Sequence, residues 1–420
     1  MTPSEILLSY LRCKSMKLDV VKIRSEDELL LCCARTATSE VIDHRIKALV
    51  QINLDWHYLI RRAIHHKVAS LLYQNLSRVS PNIIPEQYLN SLQEYYFFNA
   101  KKNLFLSVEL IKIIKLLETK QIFAIPYKGP TIAILAYGNI SLRQFSDLDI
   151  LVHPCDYLKT LHIFLEKGYR LNSDYGWECS LIDAHHGVCI DLHRGITPEY
   201  FPVHLDFQAI KQRLIALQVG AGKIMTFCPE DLLVILCIQL AKDGWGHRYN
   251  PIRLSKFCDV AELIQKYPDM NWKLIFKEAK KLGCQRMLLV GLSLAHIIFG
   301  VSIPKLSPRL LRALNDLDVL TNDIYNKLIY QASVNDHTEP LSMKSFHFKI
   351  RERWRDKLYP YYYDFKQRLI PNERDRTFLP LPKSLDFLYY AIRPVRLIRD
   401  YGQLVLMALK EKCFTWKRQR

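Results

Sequence analysis

Between Gln121 and His193 the spacing of apolar residues changes from the helical period to short β-type runs. Ile122–Tyr127 reads as a strand, broken by Lys128-Gly129-Pro130. Pro130 suits the first turn of a helix, where its missing N–H costs nothing, so Thr131–Tyr137 is expected to be a short helix. Gly138-Asn139 is then a turn. Asp147–Val152 is a second strand, and Pro154–Lys167 an amphipathic helix through Leu158, Leu161, Phe164 and Leu165, capped by Gly168. Further strands are expected at Tyr169–Asn172, Glu178–Ile182 and Gly187–His193. Such an alternation demands a small mixed sheet with helices against it.

The flanks of this module read differently. Residues 1–120 are helical in pattern: Trp56, Leu59, Ile60, Ala63 and Ile64 form one apolar face, and Leu104, Val108, Ile111, Ile114 and Leu117 another. Lys112 and Lys115 fall off the second stripe, and Glu109 sits three residues before Lys112 as surface support. After Pro229 helical patterning returns, strongest at Asp231–Ala241, and continues through Leu314–Gln331. Asn335–Pro340 is polar and reads as a linker. The expected architecture is α+β: a helical region over 1–120, a mixed-sheet core over 121–228, a helical region over 229–334 and a basic, aromatic-rich region over 335–420.

With 24% charged and 49% hydrophobic residues in 420, the chain is neither disordered nor of low complexity. The eleven cysteines are scattered with no CxxC pair, which favours reduced, buried thiols over a zinc site. Met1–Val20 lacks the apolar stretch of a signal peptide, and Met287–Ile303 falls short of a membrane span, so a cytoplasmic protein without a transmembrane segment is expected. The net charge is +17, and Leu341–Arg420 carries 19 Lys+Arg against 8 Asp+Glu. This points to an anionic partner for the C-terminal region. Its basic residues alternate with Trp354, Tyr359, Tyr361–Tyr363, Phe378, Tyr389 and Tyr390, a pattern compatible with single-stranded nucleic acid, an anionic lipid surface or a solvated helical lobe.

Asp147 and Asp149 lie one residue apart in an apolar strand, so both carboxylates share one face. Like charges this close raise each other's pKa unless a cation intervenes, and oxygen ligands suit Mg²⁺ or Mn²⁺. Asp191, in Val188-Cys-Ile-Asp-Leu-His193, puts a third carboxylate in a neighbouring β-type run. Three such groups can hold the paired metal ions of phosphoryl transfer. Lys128-Gly129 stands between strand and helix, where a phosphate can approach backbone N–H groups and a mobile point charge. Arg143 is placed to reach the same phosphates. His193 has an accessory place beside Asp191. His185-His186 are expected to flank a hairpin turn at Gly187 rather than bind a transition metal. Lys242, Asp243, His247 and Arg253 form a polar cluster, read either as a solvated helix end or as an acceptor or phosphate site.

Tyr127-Lys-Gly129, Ala136-Tyr-Gly138, Arg143, Asp147-Leu-Asp-Ile-Leu-Val152 and Asp191-Leu-His193 together resemble an uncharacterised bacterial nucleotidyltransferase family of the DNA polymerase beta-like superfamily. The similarity extends to Trp56–Leu76, to Leu240-Ala-Lys242, Arg253 and Asp259, and to Phe387–Arg399. The superfamily usually carries Gly-Ser or Gly-Gly some ten residues before its aspartates; here Lys128-Gly129-Pro130 takes that place, with Gly129 eighteen residues before Asp147. The resemblance implies transfer of a nucleoside monophosphate from an NTP to an acceptor, with release of pyrophosphate. Asp147, Asp149 and Asp191 would be the catalytic metal ligands for Mg²⁺ or Mn²⁺. Lys128, Gly129, Arg143, His193 and Lys242 would contact the nucleotide. The acceptor is left open among a small molecule, a sugar, a peptide, a protein side chain and RNA. Two other readings stand beside it: a glycosyltransferase using a nucleotide-sugar, which wants a larger Rossmann-like region ahead of its Asp-x-Asp, and a non-catalytic basic binding module on the same fold.

Overall fold

The computed structural model describes residues 23–201, 203–243, 252–304, 310, 312, 317–330, 343–371 and 373–399. The N-terminal twenty residues, His247 and the Asn335–Pro340 linker lie outside them. Residues 1–357 form one compact unit and 358–420 a second.

The described part of the first unit begins with α1 (Ser25–Cys33), α2 (Glu40–Val50), α3 (Trp56–His65), α4 (Ala69–Val79) and the 34-residue α5 (Glu86–Thr119). Ser39 and Asp55 cap α2 and α3 by accepting the N–H of Ile42 and Tyr58. The buried stripe of α5 is Leu106, Leu110, Ile113, Ile114 and Leu117, whereas Leu104 and Val108 are exposed. On so long a helix the same spacing can be drawn on more than one face, and packing decides between them. Lys112 and Glu109 pair on the surface at 2.7 Å.

Then come β1 (Ala124–Pro126), α6 (Pro130–Leu135), β2 (Asp147–Val152), α7 (Tyr157–Glu166), β3 (Tyr169–Asp174), β4 (Glu178–Asp183) and β5 (Cys189–His193). One 3₁₀ turn, Pro154–Asp156, leads into α7. Ile163 and Phe164 are the buried side of α7; Leu158 and Leu165 face out. The five strands form a sheet of order β1-β2-β5-β4-β3, in which only β2 and β5 run parallel. His185 and His186 lie in the turn between β4 and β5, their N–H groups donating to the Asp183 carboxylate.

The chain continues through α8 (Phe207–Lys211) and a hairpin of β6 (Ile215–Val219) and β7 (Gly222–Thr226) beyond the strands expected above. Thr226 Oγ1 donates to the Pro126 carbonyl at 2.7 Å, fixing β7 beside β1. The helices α9 (Pro229–Asp243), α10 (Leu254–Lys266), α11 (Trp272–Leu282), α12 (Gln285–Phe299), α13 (Asp318–Tyr330) and α14 (Met343–Ile350) complete the unit. The apolar run that begins at Met287 is thus a buried helix, and no described helix is long and apolar enough to cross a membrane. The protein is α+β, with 62% of the described residues helical and a small mixed sheet among the helices. None of the described cysteines is bridged, and most are buried.

Helices α9 and α12 meet at Gly291, where an added Cβ would stand 2.5 Å from Cys237 Sγ. Gly291→Ala is therefore expected to cost about 1–3 kcal/mol by overpacking, despite the better helix propensity of alanine. Urea unfolding of Gly291→Ala, and of that variant with Cys237→Ala added, checks this. The second change should restore most of the loss.

The second unit holds α16 (Glu373–Phe378), a 3₁₀ segment (Lys383–Leu388) and a helix over 389–399, while α15 (Trp354–Leu369) is shared between the units. Its centre is Asp375, fully buried, which accepts from Arg393 Nη1 and Arg396 Nε at 2.6 Å each.

Candidate functional site

The register of the parallel pair builds the site. Asp149 of β2 stands opposite Asp191 of β5, so both carboxylates leave the same face of the sheet at one level. Asp147 is opposite Cys189, one pleat repeat (about 6.6 Å) further along the strand. His193, two residues after Asp191, keeps that face and places Nε2 3.0 Å from Asp149 Oδ1. One ligand atom each from Asp149, Asp191 and His193 lies within 4.8 Å of the others. The group the structure gathers is thus Asp149, Asp191 and His193; Asp147 lines the same cavity outside that cluster.

The cavity holds about 310 Å³ and takes its walls from the sheet, the α3–α4 turn, α9 and α10. Six cationic side chains face six carboxylates in its lining. Lys128 Nζ lies 2.5 Å from Asp149 Oδ1. Gly129, just before α6, has φ +54°, and a Cβ there would stand 3.2 Å from the Asp147 carbonyl oxygen. The glycine is required by that close approach of backbone to backbone. Arg143 donates through Nε and Nη2 to Asp259 of α10 at 2.8 and 2.9 Å. Two of its donors are thus committed, and it forms a fixed wall of the cavity. Lys242 lies 3.4 Å from Asp243 with its ammonium over the Trp177 ring. Lys256 closes on Asp243 at 2.5 Å.

Residues that the sequence reading missed hold this arrangement. Asn103 of α5 donates its amide to the carbonyls of Ile140 and Arg143, pinning the loop that enters β2. Asp259 also accepts from Tyr137 Oη at 2.8 Å. Glu178 of β4, opposite His193 in the ladder, brings Oε2 to 3.2 Å from His193 Nδ1. Only the three-dimensional pairing identifies these groups. The period-two alternation that placed Asp149 and Asp191 would have placed Glu178, had β4 been aligned with β5.

Burial and charge set the ionisation. Burial works against the Asp149 carboxylate, but Lys128 and then His193 overrule it and hold Asp149 below the usual carboxylate range. Burial pushes Asp191 up to about 6, helped by Asp149 and Asp147. Burial also raises Glu178, to about 7. His193 is lowered by burial, against the pull of its Asp149 hydrogen bond. Asp191, whose charge burial and the neighbouring Asp149 and Asp147 disfavour, is the group that a divalent cation would relieve, and the two carboxylates are oxygen donors of the kind that suits Mg²⁺ or Mn²⁺.

A family model described as an uncharacterised nucleotidyltransferase matches residues 52–300, and every residue lining the cavity falls inside that span. The chain belongs to this nucleotidyltransferase family. No curated protein matches the sequence. A solved structure of an antigenic nucleotidyltransferase-like protein from Paracoccidioides brasiliensis aligns at 16% identity and a TM-score of 0.31, covering 50% of this chain and 92% of that one.

The raised pKa of Asp191 has a measurable consequence for this nucleotidyltransferase. A carboxyl whose folded pKa lies above its unfolded value contributes stability that is complete below about pH 4 and lost as pH rises through about 6. Asp191→Asn removes that penalty. In EDTA at pH 7.5 the variant is expected to be more stable than the parent by on the order of 2 kcal/mol, allowing for partial exposure. The gap should close by pH 4. Paired urea titrations across this range measure it; a gap independent of pH would contradict it.

Proposed function

We propose that the chain is a metal-dependent nucleotidyltransferase that moves a nucleoside monophosphate from an NTP to an acceptor and releases pyrophosphate. The observation that carries this is the Asp149–Asp191 pairing across β2 and β5, joined by His193 and opening on the cavity. Asp149 and Asp191 would be the principal ligands of Mg²⁺ or Mn²⁺, with His193 beside them and Asp147 within reach of a second ion. When bound, the metal neutralises charge on the attacking and leaving oxygens of an in-line displacement. In that displacement the acceptor hydroxyl bonds to the α-phosphorus, and the bond to the β-phosphate oxygen breaks.

The chain's own residues supply the rest. Lys128 and the Gly129 turn would steady the phosphates, and Lys242 adds charge at the same cavity. Arg143, fixed by Asp259, would orient the nucleotide. Asp191 would also orient or deprotonate the acceptor hydroxyl, and Glu178, raised to about 7 chiefly by burial, is suited to take up that proton near pH 7. The catalytic core would be residues 121–228, served by the helical regions 1–120 and 229–334. Residues 335–420 would meet an anionic partner, and the protein would work in the cytoplasm. The acceptor could be a small molecule, a sugar, a peptide, a protein or RNA. Five helices and no Rossmann-like layer precede β1 among the described residues, which speaks against a nucleotide-sugar glycosyltransferase.

The test is incubation with α-³²P-labelled ATP, GTP, CTP and UTP in turn, with Mg²⁺ or Mn²⁺ and a cell extract, followed by mass analysis of labelled species. Label transfer with pyrophosphate release from at least one NTP is expected. Consumption of a nucleotide-sugar instead, with no NTP used, would overturn the reading.

A further inference from the structure

At the turn between α3 and α4 the chain is locked onto the start of α10. His66 is buried, its Nδ1 accepts the Leu254 N–H at 3.2 Å, and its carbonyl accepts the Ser255 N–H at 3.1 Å. These are first-turn N–H groups of α10, which Arg253 at the N-cap does not satisfy with its side chain. α3 ends in a left-handed C-terminal turn, with the Val68 N–H on the Ala63 carbonyl at 2.9 Å and the Lys67 N–H on the Ile64 carbonyl at 3.0 Å, which puts Lys67 at φ +57°. That conformation is ordinary for glycine or asparagine and costly for a long side chain. Lys67 and Arg253 both line the cavity.

The other cavity cations have carboxylates against them: Lys128 has Asp149, Arg143 has Asp259, and Lys242 and Lys256 have Asp243. Lys67 and Arg253 have no ion-pair partner within 4 Å among the described residues, and Arg253 Nε is buried without a hydrogen-bond acceptor. Burial and the nearby Arg253 charge bring Lys67 down to about 8, with Asp147 pulling the other way. Two crowded cations, one with a buried orphan donor, lack the anion that would reconcile them.

We propose that Lys67 and Arg253 form an anion subsite that takes a phosphate group. A dianionic tetrahedral group answers two cations at once, accepting from the guanidinium edge and the ammonium together. The existence of the subsite does not depend on nucleotidyl transfer; its role in a reaction rests on the transfer proposed above. The phosphate would come either from the terminal phosphates of the NTP or from a phosphorylated acceptor.

Calorimetric titration of the full chain with inorganic phosphate and with pyrophosphate, in EDTA, tests this without any contribution from bound metal. Wild-type protein is expected to bind pyrophosphate, and Lys67→Asn and Arg253→Gln each to weaken it by at least about tenfold, the loss of one charge-assisted contact. Asparagine accepts the left-handed backbone, so Lys67→Asn should melt no lower than the parent; thermal melts of both variants separate lost binding from lost folding. Competition by metal-free ATP in the same EDTA buffer would assign the subsite to the NTP tail, and simultaneous binding to the acceptor's phosphate. Failure of wild-type protein to bind phosphate or pyrophosphate overturns the proposal. So does wild-type affinity in both variants. An inactive enzyme that still shows the metal-free binding would contradict the transfer reaction and leave this subsite standing.

Discussion

Asp149→Asn is expected to lower the proposed metal-dependent nucleotidyl transfer by about 10²–10³-fold or more, the scale seen when a group that stabilises developing charge is removed. Asp149 is the carboxylate on which the site converges. It stands opposite Asp191 in the ladder, accepts from His193 Nε2 and neutralises Lys128. Asparagine keeps the volume and an acceptor oxygen, so the β2–β5 pairing should persist while the charge is lost. Lys128 then loses its counter-charge, which lowers stability as well, and rates must be read at a temperature where circular dichroism shows the variant folded. A folded variant with parental activity would remove Asp149 from the chemistry.

Asp259→Ala is expected to cost about 3–5 kcal/mol of stability, because it leaves a largely buried guanidinium without its charge partner. Asp259 is buried in α10 and receives Arg143 Nε, Arg143 Nη2 and Tyr137 Oη. Those three bonds tie the helical region after the sheet to the loop that enters β2. Removing them should loosen the position of Asp147 and Asp149 as well as the fold. Urea unfolding gives the energy. A loss below about 1 kcal/mol, typical of an exposed pair, would show that the Arg143–Asp259 pair is not the tie that the geometry describes.

The strand Asp147–Val152 was legible to the residue, because an apolar run bounded by a carboxylate and a turn has one good reading. The β6–β7 hairpin was missed although its signal is present: Ile215, Leu217 and Val219 recur at period two, the burial of both strands alternates, and Gly220-Ala-Gly222 marks the turn, but each run is only five residues long. The apolar stripe of α5 was drawn through Leu104 and Val108, which the fold leaves exposed, because periodicity shows that a face exists without showing which neighbour covers it. At the site, strand period placed Asp147 and Asp149 on one face and put a third carboxylate, Asp191, in another β-type run; that His193 rather than Asp147 clusters with Asp149 and Asp191 comes from the β2–β5 register. Glu178, Asp259 and Lys67 did not follow from the sequence, for each acquires its meaning from groups distant in sequence.

The proposed divalent-cation site at Asp149, Asp191 and His193 is tested most directly by Mn²⁺ titration followed by electron paramagnetic resonance. Wild-type protein is predicted to remove Mn²⁺ from the free-ion signal, more weakly as pH falls below about 6 and Asp191 takes up its proton. Asp149→Asn and Asp191→Asn, confirmed folded, are predicted to leave the free-ion signal near that of buffer. A wild-type protein that binds no Mn²⁺ with or without ATP, or variants that bind it as the parent does, would contradict the assignment.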